Sequence, residues 1–200
     1  FETLRTYGGR LFGLEAHLDR LTSSCAALGI ECPPLQTVEA ELMEAAEMVP
    51  GEAMVRVTIT ASSTRVVRAV DLPGVPDPFR CVSREYTPPA WLDGTVKHAS
   101  RAASRAAVLS AGVEEVIWTD SEGFMLEGTR SNLFAVISGV LVTPPVDGRL
   151  LAGVTREAMI DAADTAGVAV RIEGLSIDGA YDELYVCSTL KELTPIDELD

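Results

Sequence analysis

The sequence is poor in the residues that signal nucleic-acid binding or metal binding. Against 30 acidic residues it has only 16 lysines and arginines, which gives a formal net charge of −14 at pH 7. Nucleic-acid phosphates are repelled by such a chain unless it carries a basic patch, so no nucleic-acid partner is expected. The two histidines, His17 and His98, are too few and too far apart in the sequence to predict a metal cluster.

Cysteines and long apolar runs are also scarce. The four cysteines have no CxxC spacing and lie among apolar residues, which predicts reduced core thiols in a cytoplasmic protein. No apolar run reaches the length of a membrane span, and no signal-peptide pattern is found, so no membrane partner is expected. The chain starts without a methionine, inside a strand pattern, and further residues are expected beyond both ends. The cysteines are Cys25, Cys32, Cys81 and Cys187.

What the chain does have is enough apolar content for a core. Two hundred residues with 47% hydrophobic content can form one large domain or two small ones. A stretch with three prolines in eight residues, 71–78, is the best boundary. We expect a small N-terminal α/β domain over 1–78, a strand and interdomain loop over 79–91, and a larger C-terminal domain over 92–200.

Hydrophobic periodicity and turn residues predict the elements of these domains. The part after the boundary consists mostly of antiparallel strands with two helices, which indicates an α+β class. Helices are predicted at 14–28, 37–48, 98–110 and 153–166. Strands are predicted at 1–7, 10–13, 53–60, 65–70, 79–86, 115–119, 124–127, 132–137, 140–143, 168–172 and 184–187.

Lys97 is the first candidate for chemistry. It stands between a proline-rich loop, 87–90, and the alanine-rich helix predicted at 98–110. A lysine amine is a nucleophile only when burial or a neighbouring cation keeps part of it neutral, and His98 or Arg101 could supply that cation. Taken alone, the pattern is more typical of a solvated surface lysine.

Two places offer neutral donors for an anion. Thr155 lies at a helix start preceded by Gly153, where free N–H groups and the helix dipole favour phosphate. Thr189 follows a buried strand and offers a hydroxyl, and Arg20 on the first helix could complete a phosphate clamp. Each also has a plain structural interpretation: Thr155 as a helix cap, Thr189 as a turn residue and Arg20 as a surface charge.

As a whole, the chain resembles the class IV (fold type IV) pyridoxal-phosphate enzymes. These are the branched-chain and D-amino-acid aminotransferases and aminodeoxychorismate lyase. Each motif is weak alone, but six occur in the family's order. They are FETLR at 1–5, HLDRL at 17–21, Lys97 itself, EGTRSNLF at 127–134, GVTR at 153–156 and STLKELTP at 188–195.

The resemblance implies a role for each candidate. Lys97 corresponds to the catalytic lysine that forms the Schiff base with pyridoxal 5′-phosphate, and Glu127 to the carboxylate that faces the pyridine nitrogen. The implied fold is D-amino-acid aminotransferase-like, with the cofactor in the interdomain cleft of a homodimer. The resemblance assigns binding of the cofactor phosphate to Arg20, Val154, Thr155 and Thr189. The KHxxR pattern at 97–101 adds Arg101 to the cofactor-binding residues.

Two departures from the family pattern leave the identity of the substrate open. Ser100 and Arg101 stand where branched-chain enzymes usually carry Asn-Tyr, and 61–62 lacks the arginine that often binds a substrate carboxylate. The candidate substrate residues are therefore Phe1, Arg65 and Arg130.

The sequence leaves three functions from different classes open. The leading hypothesis is an aminotransferase that moves an amino group between a branched-chain or D-amino acid and a 2-keto acid. The alternative is a lyase that yields 4-aminobenzoate and pyruvate. Glu2 and 127–134 favour the aminotransferase, whereas 97–101 favours the lyase. A non-catalytic scaffold that keeps the fold is a remote third, because both Lys97 and Glu127 are present. The D or L preference stays open.

Overall fold

The computed structural model describes all 200 residues, which divide into two compact units. The first unit is Phe1–Gly74 together with Val96–Ser100, and the second is Val75–Thr95 together with Arg101–Asp200. The division thus comes a few residues before the boundary expected after 78. The segment that contains Lys97, which was expected in the larger domain, groups with the first unit. No helix has both the length and the apolar character needed to cross a membrane.

The first unit is a four-stranded antiparallel sheet with two helices. Its sheet has the order β2-β1-β3-β4. The residues of β1 and β3 that alternate toward the helices form a core with α1 and α2, including Leu4, Val55 and Leu42. The elements are β1 (Glu2–Tyr7), β2 (Arg10–Leu11), α1 (Leu14–Ala27), α2 (Leu35–Glu47), β3 (Ala53–Ile59) and β4 (Arg65–Asp71).

The second unit contains two five-stranded sheets and two helices. The sheet orders are β10-β9-β8-β12-β13 and β11-β7-β6-β5-β14, and most strand pairs are antiparallel. The predicted α+β class is confirmed. The elements are β5 (Arg80–Glu85), α3 (Ala102–Ala111), β6 (Glu115–Thr119), β7 (Phe124–Gly128), β8 (Asn132–Ile137), β9 (Val140–Thr143), α4 (Val154–Thr165), β10 (Val170–Ile172), β11 (Leu175–Ser176), β12 (Glu183–Ser188), β13 (Glu192–Pro195) and β14 (Glu198–Leu199).

The sequence prediction was wrong about the start of the third helix. Helix α3 begins at Ala102 instead of 98, so Lys97 lies in an irregular segment before it. Arg101, expected inside the helix, is its N-cap residue with φ −116° and ψ 22°. The Lys97 N–H donates to Ser24 Oγ and its carbonyl oxygen accepts from the Phe1 nitrogen, so neither group takes part in helical hydrogen bonding. No residue of this alanine-rich helix is buried.

Three short strands escaped prediction. Strands β11 and β14 have two residues each, which is too short for an alternating pattern to be recognised. Strand β14 exists because it pairs in parallel with β5, which is distant in the sequence. Strand β13 pairs with β12 across the turn that contains Thr189.

Candidate active site

The main chain of Lys97 is held by the first unit at both of its polar groups. Its N–H donates to Ser24 Oγ at 3.0 Å, and its carbonyl oxygen accepts from the Phe1 nitrogen at 3.2 Å. The Lys97 Nζ lies 5.0 Å from the centroid of the Phe1 ring, within range of a cation–π interaction. Lys97 is half-buried rather than fully solvated. The segment therefore presents the amine from a fixed backbone.

A buried ion network lies at the start of β1, next to this segment. Glu2 is 1% exposed and accepts hydrogen bonds from Arg20 Nε and Nη2, both at 2.8 Å, and from His17 Nδ1 at 2.7 Å. Burial opposes the ionisation of Glu2, but hydrogen bonds from Arg20 and His17 and the charges of Arg20 and Lys97 together lower its pKa to about 2. Burial also lowers the pKa of His17, so its ring stays neutral at pH 7. Arg20 is thus not a surface charge, and only 11% of its side chain is exposed.

The structure brings one arginine to Phe1 that the sequence analysis missed. Arg56 Cζ lies 5.2 Å from the same ring centroid that Lys97 approaches, and Arg56 Nε donates to Thr3 Oγ1 at 2.9 Å. Burial, and then the charge of Arg68 directly across the sheet, lower the pKa of Arg56. Arg56 could have been found by pairing β1 with β3, because Thr3 and Arg56 are register partners. A second cation therefore shares the Phe1 ring with the lysine.

The two arginines expected to bind a substrate carboxylate are engaged elsewhere. Arg65 makes a bidentate ion pair with Glu41 of α2, on the face of the sheet that the helices cover. Arg56 points to the opposite face, because neighbouring strand residues alternate. Arg130, in the second unit, donates to the carbonyl oxygen of Glu114 at 2.7 Å. The structure therefore does not bring Arg65 together with Phe1.

In the second unit, Glu127 is fixed on β7 by the segment that leads into α4. Glu127 Oε2 accepts a hydrogen bond from the Leu151 N–H at 3.0 Å. Asn132, on the next strand, donates from Nδ2 to the carbonyl oxygen of the same Leu151 at 2.8 Å. The half-buried Glu127 carboxylate is therefore held at one oxygen, unlike a solvated hairpin carboxylate.

The first turn of α4 is anchored but not capped. Gly153 is the N-cap residue, and no side chain hydrogen-bonds to the helix start. A Cβ on Gly153 would lie 1.9 Å from Asn132 Oδ1, so only glycine fits there. Arg156 is 2% exposed and bonds to Thr143 Oγ1 at 3.2 Å and to the Pro144 carbonyl oxygen at 3.0 Å. The first turn of α4 therefore offers N–H groups that no side chain caps, and N–H groups at a helix start favour phosphate.

The last two predicted cofactor residues are also half-buried in the second unit. Thr189 lies in the turn between β12 and β13, and α4 packs against β12. Arg101 is the N-cap of α3. Val154, Thr155 and Thr189 thus lie in the same unit as Glu127, which is hydrogen-bonded to the segment before α4.

Comparison with known proteins identifies the family. The family model described as "Amino-transferase class IV" matches residues 1–199. The chain belongs to the class IV aminotransferase family. It is 32% identical to a Methanocaldococcus jannaschii protein named "Putative branched-chain-amino-acid aminotransferase", an alignment that covers all of this chain and 78% of that protein.

Solved structures confirm the predicted fold type IV architecture. "A hypothetical aminotransferase from Mycobacterium tuberculosis, apo form" superposes with a TM-score of 0.92 at 24% identity, over all of this chain and 80% of that one. Its PLP-bound form has a TM-score of 0.88 at 23% identity, with the same coverage. Class IV aminotransferases use pyridoxal 5′-phosphate, and family and relatives favour an aminotransferase over the lyase.

The residues present in this aminotransferase fit that cofactor. The phosphate group needs hydrogen-bond donors, which the uncapped α4 start offers, and a ring nitrogen needs a fixed carboxylate, which Glu127 offers. A covalent link needs a lysine, and the chain has only two, Lys97 and Lys191. Lys191 is committed to a buried ion pair with Glu115.

Proposed function

We propose that this class IV aminotransferase binds pyridoxal 5′-phosphate covalently through Lys97 and transfers an amino group between an amino acid and a 2-keto acid. The observation that carries the proposal is the state of the two lysines. Lys191 is 12% exposed and paired with the fully buried Glu115, whereas Lys97 is half-buried beside Phe1. The family match spans residues 1–199, which supports a cofactor site built from residues along the whole chain.

When bound, the cofactor withdraws electrons from the substrate α-carbon and carries the amino group. Lys97 Nζ is assigned the transfer of the proton between the substrate α-carbon and the cofactor, and the hydrogen bonds at both backbone polar groups of Lys97 support this role by fixing the segment that carries the amine. Glu127 accepts a hydrogen bond from the ring nitrogen through the carboxylate that Leu151 orients. Arg20, Val154, Thr155 and Thr189 hold the phosphate, and Arg101 is assigned to the same cofactor set.

Arg56 is the best-supported partner for a substrate carboxylate. It lies over the same Phe1 ring as Lys97, and its Nε is held by Thr3 Oγ1. A guanidinium binds a carboxylate with two parallel hydrogen bonds, which orients the substrate as well as holding it. The apolar Phe1 ring suits the side chain of a branched-chain amino acid or its D-counterpart. This assignment replaces Arg65 and leaves Arg130 as the second candidate.

Reduction with borohydride followed by peptide mapping tests the covalent assignment. The wild-type protein loaded with the cofactor should give one modified peptide, and the modified residue should be Lys97. Lys97→Ala should give none, while Lys191→Arg should keep the modification at Lys97. A reducible adduct that survives in Lys97→Ala would refute the proposal.

A half-reaction tests the type of reaction. Branched-chain amino acids, D- and L-alanine and glutamate are each added, and conversion of the cofactor to its pyridoxamine form is followed by absorbance. Conversion by at least one donor is expected. Failure with all of them, together with release of 4-aminobenzoate and pyruvate from aminodeoxychorismate, would establish the lyase instead.

The quaternary state and location are part of the proposal. Large apolar side chains are exposed in the second unit, with Trp91 at 89% and Leu109 at 64%, which supports a homodimer. Light scattering after gel filtration should give twice the mass of the chain, and a monomer would contradict this. All four cysteines are free thiols, which supports a cytoplasmic location.

A further inference from the structure

One buried carboxylate of the second unit lies between two loops that carry proposed cofactor residues. Glu115 is fully buried at the start of β6. Its Oε1 accepts a hydrogen bond from Thr129 Oγ1, and its Oε2 accepts one from Lys191 Nζ. Thr129 comes two residues after Glu127, and Lys191 comes two residues after Thr189. A single carboxylate thus links the loop after Glu127 to the turn that contains Thr189.

The charge of this carboxylate depends on Lys191. Burial raises the pKa of Glu115, but the charges of Lys191 and Arg130 and the hydrogen bonds from Lys191 and Thr129 outweigh it and hold the pKa below its ordinary value. Arg130 Nε is 3.8 Å from Oε1 and its side chain is 55% exposed, so water screens that pair. The Lys191 side chain is 12% exposed, and its amine also lies 5.2 Å from the Phe79 ring centroid.

The turn that contains Thr189 is closed around Lys191. The Lys191 N–H donates to the Ser188 carbonyl oxygen at 3.1 Å, and the Lys191 carbonyl oxygen accepts from Thr194 Oγ1 at 2.7 Å. Thr189 lies inside the turn that the first bond closes. Since Lys191 is held at its N–H, its carbonyl and its amine, it restricts the position of Thr189.

We propose that Lys191 is a positioning residue, whose ion pair with Glu115 holds the Thr189 turn against the loop after Glu127 and thereby sets the affinity of the site for the cofactor phosphate. Because it assigns Thr189 to the phosphate, this role of Lys191 rests on the proposed function. If Lys191 only stabilised the fold, its replacement would weaken the binding of the cofactor with and without its phosphate group to the same extent.

The test compares pyridoxal 5′-phosphate with pyridoxal, which lacks the phosphate. Both are titrated into the cofactor-free full chain, and Kd is measured by absorbance. Lys191→Met should raise Kd for pyridoxal 5′-phosphate about ten- to a hundredfold, the range for a hydrogen bond to a charged group. Kd for pyridoxal should change little. Lys191→Arg should recover most of the loss, and Arg80→Met, which breaks an exposed ion pair with Glu114, is the matched control and should change neither Kd.

The outcomes separate this role from the proposed function. Equal changes in both Kd values, or no change in either, would overturn the role of Lys191 alone. If the wild-type chain binds neither compound, the proposed function fails and this role fails with it. Should Lys191→Met not fold, the double variant Glu115→Gln/Lys191→Met removes both charges together, and the same selective loss of phosphate affinity is expected.

Discussion

The network around Glu2 makes the stability of the first unit depend on pH. Its pKa is lowered from 4.5 to about 2, because the hydrogen bonds and charges around it outweigh the opposing effect of burial. At about 1.4 kcal/mol per pKa unit, ionised Glu2 contributes about 3 kcal/mol to the free energy of unfolding. Since the folded pKa is the lower one, this contribution is present above pH 4.5 and is lost as the pH falls toward 2.

Glu2→Gln should therefore lower the free energy of unfolding by about 3 kcal/mol between pH 5 and pH 7, and by about half of that at pH 3. Urea unfolding followed by far-ultraviolet circular dichroism at several pH values measures the difference. Both tryptophans, Trp91 and Trp118, belong to the second unit, so the ellipticity rather than the fluorescence reports the change.

A matched control is Glu41→Gln, which removes another carboxylate of the same unit from a bidentate pair with an arginine. That pair is about one-third exposed on both sides, so the expected effect is below about 1 kcal/mol. A loss in Glu2→Gln no larger than in Glu41→Gln, or one that stays constant from pH 7 to pH 3, would refute the reasoning.

Three further predictions concern the site. Glu127→Gln should keep the cofactor bound while turnover falls at least about tenfold, the effect of weakening one charge-assisted hydrogen bond; near-normal turnover would exclude its role. Arg20→Lys keeps a cation beside the ion network but loses the bidentate geometry, so Kd for the cofactor should rise about tenfold in the same absorbance titration, and an unchanged value would place the phosphate elsewhere. Arg56→Met should raise KM for the amino donor about tenfold or more with cofactor affinity unchanged, whereas Arg65→Met should leave KM as it is; the reverse pattern would restore Arg65.

The elements with strong periodicity were predictable from the sequence. Helices α1, α2 and α4 and eleven of the fourteen strands follow from apolar spacing and turn residues, to within a few residues at the ends. Positions fixed by distant partners were not. The irregular backbone at Lys97 depends on Ser24 and Phe1, far away in the chain, and local propensity could only continue the alanine-rich helix toward it.

The residues of the candidate site also fall into those that the sequence predicts and those that depend on distant partners. The order of the family motifs predicts Lys97, Glu127, Thr155 and Thr189 as site residues. That they act together stays a prediction. The network of Glu2 with Arg20, by contrast, depends on which face of β1 meets α1, and the position of Arg56 depends on the register of β1 with β3. Neither can be derived without the strand pairing, and so Arg65 was favoured on the strength of its place in the sequence alone.

The contact of Gly153 with Asn132 has a consequence for laboratory evolution of this enzyme. A library that varies residue 153 alone should return only glycine, because any side chain would collide with Asn132 Oδ1. A shorter side chain at 132 would make room, but it would also remove the hydrogen bond from Asn132 to the Leu151 carbonyl oxygen. The N–H of the same Leu151 donates to Glu127, so the loss would reach that carboxylate. Substitutions at 132 and 153 are thus expected to be recovered as pairs, and such pairs should alter the spectrum of the bound cofactor through Glu127 even though neither residue is assigned to bind it.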